Sequence, residues 1–299
     1  MSTQWLETRE RSNVVAIRVF LWIALGLGRP AGRILLHPIC LYFLLFSMRA
    51  RAASRKYLAK ALGRRPSILD CYRHYLSFAA VALDRMFLLR DRTQHYDIRI
   101  QGDEVLLREL AGGQSVFLLG AHLGSFEVLR ALGRDLKVRV SLAMFEQTSR
   151  NFNAVAKAIN PELETAVIQL GAPESMIRLA ERLERGDCVG MLGDRSLSEA
   201  GQVRVLFFGE DAAFPTAPFR IAAMLGRPVV LMVGLYRGGN RYDLFFEQLV
   251  ESPHLERATR DKTVQEWAQR YAQRLEHYCR QAPYNWFNFY DFWARAKNP

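Results

Sequence analysis

His122 and Glu127 are the residues whose types and spacing first suggest chemistry, within the stretch Gly120-Ala-His-Leu-Gly-Ser-Phe-Glu127. The apolar run Val116–Leu119 precedes them as a buried strand would, and Phe126, Val128 and Leu129 then begin a helical pattern. A histidine at a strand-to-helix junction lies at the carboxyl edge of a sheet, where open α/β folds place ligands. A carboxylate one turn into the helix can reach back to hold the ring in one tautomer, leaving the other nitrogen to accept a proton. A lone His beside a Glu is also a common polar contact, and the two residues alone leave both readings open. Gly120 and Gly124 favour the chemical one, because glycine serves where something must approach the backbone closely.

Two later stretches add candidates. Gly193-Asp194-Arg195 follows the apolar run Cys188–Leu192, which places its charges at a strand end on the same edge as His122. Such a pair is either a structural ion pair or a device that orients a polar substrate. Phe207-Phe-Gly209, followed by Phe214-Pro-Thr-Ala-Pro218, reads as strand, loop and helix lining an apolar groove, or as core. Other chemistries find little support. The Gly124-Ser125-Phe126-Glu127 stretch departs from a serine nucleophile elbow at the second glycine, and neither a phosphate-binding lysine loop nor a dinucleotide glycine fingerprint follows a strand. The 4 cysteines and 6 histidines are scattered without metal-ligand spacing.

The elements that must position these residues alternate. Strands are expected at 96–100, 115–119, 138–143, 166–170, 188–192, 203–208, 229–235 and 242–250. Helices are expected at 104–110, 126–136, 151–159, 173–185, 215–225 and 262–280. Alternation of this kind predicts an α/β fold, a mostly parallel central sheet flanked by helices. Upstream, residues 55–92 read as helical, with Ser67 as an N-cap followed by Asp70, and with His74 and Asp84 on solvated faces.

The charge is concentrated at one end. The net charge is +11, yet residues 1–70 hold 12 Lys/Arg against three acids, so the rest of the chain is close to neutral. The cations flank the apolar runs 14–28 and 34–48, which argues for a lipid surface and against nucleic acid as the partner. Each run spans about 22 Å as a helix, short of a hydrocarbon core of about 30 Å. We therefore expect N-terminal hydrophobic membrane-associating helices. A buried hairpin of a soluble protein is the alternative, and Glu7 and Glu10 disfavour a cleaved signal peptide. The expected division is a membrane-associating segment at 1–60 and a catalytic domain at 61–299, with the positive flank facing the cytoplasm.

The motif Ala-His122-Leu-Gly-Ser-Phe-Glu127 resembles the His-x4-Glu motif of the lipid A late acyltransferase family, membrane enzymes that move an acyl chain from acyl carrier protein to a hydroxyl. Asp194 after a buried strand, then Phe-Phe-Gly209, then a Thr-containing helix start and the closing Pro283-x-x-Trp286, extend the resemblance over nearly the whole chain. It implies His122 and Glu127 as catalytic residues and Arg150, Asp194, Arg195 and Gly124 as substrate-binding. Arg195 stands where the family usually has Gln, which puts its substrate role in doubt. The resemblance also implies location at the inner membrane, with the catalytic domain on the cytoplasmic side, acyl carrier protein and membrane lipids as partners, and no metal or redox cofactor. The tetrahedral oxyanion would be met by backbone N–H groups at the glycine-bracketed helix start. The aromatic, Asn- and Asp-bearing end resembles the branch acting on other outer-membrane lipids, aryl polyene acyltransferases included. Three rivals remain: an acyl-CoA-dependent lysophospholipid acyltransferase with the same dyad, a thioesterase or lipase, and a catalytically silent lipid-binding protein.

Overall fold

The run Val116–Leu119 becomes the centre of a seven-stranded sheet. The computed structural model describes residues 26, 28–90, 92–129, 139–145, 167–172, 174–195, 201–251 and 253–294. Three helices come first: α1 (Arg29–Phe46), α2 (Met48–Leu62) and α3 (Ile68–Leu88). Next come β1 (Asp97–Gln101), α4 (Asp103–Ala111), β2 (Phe117–Gly120), β3 (Val140–Phe145), β4 (Val167–Leu170), α5 (Glu174–Glu184) and β5 (Cys188–Leu192). The remainder is β6 (Gln202–Phe207), β7 (Glu210–Pro215), α6 (Ala217–Leu225), β8 (Val229–Gly238), β9 (Arg241–Val250) and α7 (Arg260–Gln281). The strand order is β1-β9-β8-β2-β5-β3-β4, parallel throughout except for the β8–β9 hairpin.

The mostly parallel sheet flanked by helices is the fold that the alternating pattern predicts. β2 and β8 are buried along nearly their whole length, as strands covered on both faces must be. The expected helix at 151–159 and most of that at 126–136 lie outside the described residues. One element differs from expectation. The stretch after Phe207 turns through Phe208 and Gly209, both with positive φ, and returns as β7 to pair with β6. Two left-handed residues make the tight turn that matches strand twist.

The helices dock through caps and ion pairs. Ser67 and Asp70 form a capping box at the start of α3, as expected. His74 and Asp84 are fully buried, which corrects the expectation of solvated faces. Asp84 receives Arg29 Nε at 2.7 Å, Arg33 Nη2 at 2.7 Å and the Tyr242 hydroxyl at 2.8 Å. Two of the cations that interrupt the apolar N-terminal runs therefore fasten α1 to α3, and Arg33 also reaches the sheet by donating to the Tyr236 hydroxyl of β8 at 2.6 Å. His74 is bracketed by Ser54 of α2 and the Trp286 carbonyl.

The rest of α1 is turned outward. It buries only Gly32, Leu36, Cys40 and Leu44, one residue per turn, while Ile34 (71 %) and Phe46 (62 %) stand well exposed with Leu41, Tyr42 and Leu45. His37, Pro38, Leu41 and Leu44 share an apolar groove with Ile68, Leu69 and Tyr72 of α3. Of the stretch 14–48, for which a membrane-associating and a buried hairpin are the alternatives, residues 14–25 lie outside the described residues. Among the described residues, no single helix is long and apolar enough to cross a membrane. α1 and α2 qualify only together, and they are bent by 95° where they meet.

Candidate active site

Parallel pairing of β2 with β5 sets the site. Gly120 lies opposite Leu192, so His122 and Asp194, each two residues further on, face each other across the sheet edge. His122 Nδ1 lies 2.7 Å from Asp194 Oδ1, and the His122 backbone N–H reaches both carboxylate oxygens at 3.1 Å. Trp286 Nε1–H and Asn288 Nδ2–H donate to Oδ2 at 2.9 and 3.0 Å. A carboxylate only accepts while ionised, so the proton on this side of the ring belongs to Nδ1 and Nε2 is left as the acceptor. Among the described residues Nε2 has no hydrogen-bond partner, and a quarter of the His122 side chain is exposed.

Electrostatics keep the pair in that state. Burial is the largest influence on both groups. It lowers the proton affinity of His122, and the Arg195 and Arg85 guanidiniums add to this against the opposing pull of Asp194, so the ring's pKa falls below its ordinary value. For Asp194 burial works the other way and is outweighed by His122, Arg195 and Trp286, which hold the carboxyl well below the usual carboxylate range. A neutral imidazole backed by an ionised carboxylate is an acid–base group ready to take a proton at neutral pH.

Glu127 is not the orienting carboxylate. It is buried in a turn, where Arg85 of α3 pairs with it at 2.6 Å and the Ser125 hydroxyl donates to it at 3.1 Å. The reach back to His122 expected from a helical position fails because regular helix begins only at Leu129. Glu127 makes no hydrogen bond to His122 among the described residues; its partner Arg85 is the least of the charges that lower the proton affinity of the ring.

The glycines answer to packing. Gly124 has φ +66°, and a Cβ there would sit 1.9 Å from the Gly234 carbonyl oxygen of β8. Its N–H donates to Asn285 O and the Ser125 N–H to Gly234 O, both at 2.8 Å. These two amides are committed and do not offer the oxyanion donors expected of them. Arg195 donates to Asn288 Oδ1 at 2.6 Å and to Phe287 O at 2.7 Å, so two of its nitrogens hold the closing segment. Arg150 lies outside the described residues. Sequence reasoning missed Arg85 and the roles of Trp286 and Asn288. The signal available for the last two was the unusual run of aromatic and amide residues after Pro283. Among the described residues, no three His, Cys, Asp or Glu side chains converge as a metal would need.

Fold and site together define an α/β protein with a His–Asp pair at the carboxyl edge of its parallel strands and an N-terminal helix with an exposed apolar face. The chain belongs to the bacterial lipid A biosynthesis acyltransferases, whose family model matches residues 4–295. It is by that membership a member of a family of membrane acyltransferases of lipid biosynthesis. No curated protein matches it individually.

Proposed function

We propose that the protein transfers a fatty acyl chain from an acyl thioester, carried by acyl carrier protein, to a hydroxyl of a lipid or glycolipid of the bacterial envelope, with His122 as general base. The observation that carries this reading is the Nδ1 contact of His122 with Asp194, which leaves Nε2 as the free acceptor. Nε2 takes the proton from the acceptor hydroxyl as its oxygen attacks the thioester carbonyl. The tetrahedral oxyanion then collapses, the C–S bond breaks, and the departing thiolate takes the proton back from the imidazolium. A positioned base of this kind contributes roughly 10²–10⁴-fold.

Asp194 orients the base, and Glu127 keeps Arg85 at its flank. Because the Gly124 and Ser125 amides are spoken for, the oxyanion donors lie elsewhere, and Arg150 keeps the substrate-binding role that the resemblance implies. Gly124 serves by letting the His122 loop lie against β8, and Arg195 by holding the segment that closes the site.

The outer face of α1 would lie in the inner membrane at the headgroup boundary, with the catalytic residues 61–299 on the cytoplasmic side of the 1–60 segment. Arg49, Arg55 and Arg65 are exposed and have no carboxylate partner among the described residues, which suits them to anionic lipid. Arg64, Lys56 and Lys60 instead pair with Asp70, Asp291 and Glu210.

The test offers labelled acyl carrier protein and acyl-CoA to detergent-purified protein with a total bacterial lipid extract, beside His122→Ala. A labelled lipid formed by wild type alone supports the reading, and the preferred donor distinguishes carrier protein from coenzyme A. Label released only as free fatty acid, or no turnover at all, would overturn it in favour of a thioesterase or a silent lipid binder.

A further inference from the structure

Asp194 is buried and surrounded by donors, and two of the four come from a segment that follows every strand and helix among the described residues. Trp286 is fully buried, and its ring packs edge-on against Tyr57 at 4.9 Å, Phe292 at 4.8 Å and Phe207 at 5.3 Å. Packing alone would accept any large ring in that place. The indole N–H is nevertheless aimed at the carboxylate, 2.9 Å from Oδ2. Asn288 completes the arrangement. Its Oδ1 accepts from Arg195 Nε, which fixes the amide so that Nδ2 faces the same Oδ2.

The backbone of this segment is held at several points. Phe287 N–H donates to His122 O and Gly124 N–H to Asn285 O, both at 2.8 Å. Tyr236 N–H donates to Asn285 Oδ1 at 2.7 Å. The Trp286 carbonyl accepts from His74 Nε2 at 2.8 Å, and because a carbonyl only accepts, His74 Nδ1 accepts in turn from the Ser54 hydroxyl at 2.9 Å. A continuous chain of buried hydrogen bonds thus runs from Ser54 on α2, through His74, Trp286 and Asp194, to His122.

We propose that Trp286 and Asn288 are positioning residues for the transfer: they occupy Oδ2 of Asp194 and so present Oδ1 to His122 Nδ1. This rests on the reading of His122 as the base. The two donors do more than hold geometry, since they draw negative charge away from the oxygen facing His122. With one removed, the carboxylate pulls harder on the imidazole proton, and the base becomes protonated at a higher pH. The other groups facing the pair are Arg195 and Arg85, which disfavour imidazolium, and Tyr271, Tyr290 and Cys279 around Asp194. Trp286→Phe leaves all of them in place, whereas Asn288→Ala also takes away the Oδ1 that accepts from Arg195 Nε, leaving that side chain its bond to Phe287 O; Arg85 is paired with Glu127 in every variant.

The experiment uses the full chain in detergent as wild type, Trp286→Phe, Asn288→Ala and Trp293→Phe. Trp293 is the control, because its indole N–H donates to Phe207 O at 3.2 Å and not to Asp194. Transfer kinetics are followed from about pH 5 to 9, and the His122 ring is titrated by nitrogen NMR. Trp286→Phe and Asn288→Ala are expected to lower kcat by roughly 10–100-fold, the worth of a hydrogen bond to a charge, with KM nearly unchanged. Both the acid limb and the His122 titration should move to higher pH, while Trp293→Phe keeps the wild-type profile. Equal losses at every pH in Trp286→Phe and Trp293→Phe, with the His122 titration unmoved, would overturn the inference. The titration is read without turnover. A wild type that transfers nothing, yet shows the shift in its variants, would defeat the acyltransferase reading while supporting the positioning role. If Trp286→Phe does not fold, Asn288→Ala supplies the decision when made both in wild type and in Arg195→Gln: a shift that persists without Arg195 supports the inference, and one that vanishes overturns it.

Discussion

Replacing Asp194 by Asn tests the site most sharply, because the new amide must choose which way to face. The carboxylate accepts from four donors: the His122 backbone N–H, His122 Nδ1, Trp286 Nε1 and Asn288 Nδ2. If the amide oxygen faced His122, its NH2 would confront the indole and Asn288 N–H groups and leave both unsatisfied, at about 1–3 kcal/mol each. If the oxygen faces Trp286 and Asn288, those two bonds survive and the NH2 points at His122 Nδ1. That second arrangement is favoured by about 2–6 kcal/mol. It forces Nδ1 to accept, moves the ring proton to Nε2, and removes the base. We expect Asp194→Asn to lose roughly 10³–10⁴-fold in kcat, as a wrong imidazole tautomer does in a hydrolase triad, while the melting temperature changes little. The assay is lipid transfer at neutral pH, together with the His122 tautomer read from its nitrogen shifts. Activity within tenfold of wild type, or a ring still protonated at Nδ1, would refute the reasoning.

Three further outcomes follow from features remote from the reacting atoms. Gly124→Ala should destabilise the protein by about 3 kcal/mol or more, since its Cβ would overlap Gly234 O at a positive φ; thermal unfolding in detergent measures it, and an unchanged midpoint contradicts the close approach. Burial pushes the His74 pKa down to about 4, so the unfolded chain binds this proton first and stability falls as the pH drops from about 6.5 toward 4. At pH 5 this amounts to about 2 kcal/mol, and His74→Gln should lose that pH dependence in unfolding curves at pH 7 and pH 5, whatever its absolute stability. Replacing Leu45 and Phe46 by Glu should weaken partition onto anionic vesicles at least about 100-fold, from the transfer cost of two large apolar side chains, with melting and detergent activity retained; equal vesicle binding would remove α1 from the membrane.

What the sequence disclosed depended on how local the cause was. The strands at β2, β5 and β8 are short apolar runs between glycines and charges, and the capping box at Ser67 is a four-residue affair, so both were legible. β7 was not, because Glu210 and Asp211 disguise a hairpin strand and Phe-Gly is not a familiar turn dipeptide. Asp194 could be placed on the same edge as His122. Its pairing with His122 needs the adjacency of β2 and β5, a matter of strand order that no local pattern carries. The same limit explains Glu127, where spacing suggested a reach to His122 and a guanidinium on α3 captured it instead. His74 and Asp84 looked solvated because their partners, Trp286 and the Arg29–Arg33 pair, lie 212, 55 and 51 residues away.

The hold of residues 285–288 on Asp194 also has a consequence in time. A ribosome adds about 5–20 residues per second, so α1 and α2 emerge many seconds before Trp286 does. During that interval the nascent chain already has the exposed apolar face of α1, its histidine and, later, its aspartate. The carboxylate nevertheless lacks two donors until the last of these residues is made. On the reading proposed above, the base stays loosely held until this segment, translated after the whole of the sheet, has docked. A cut before Asn285 would remove both donors together with the buried rings of Trp286, Phe292 and Trp293.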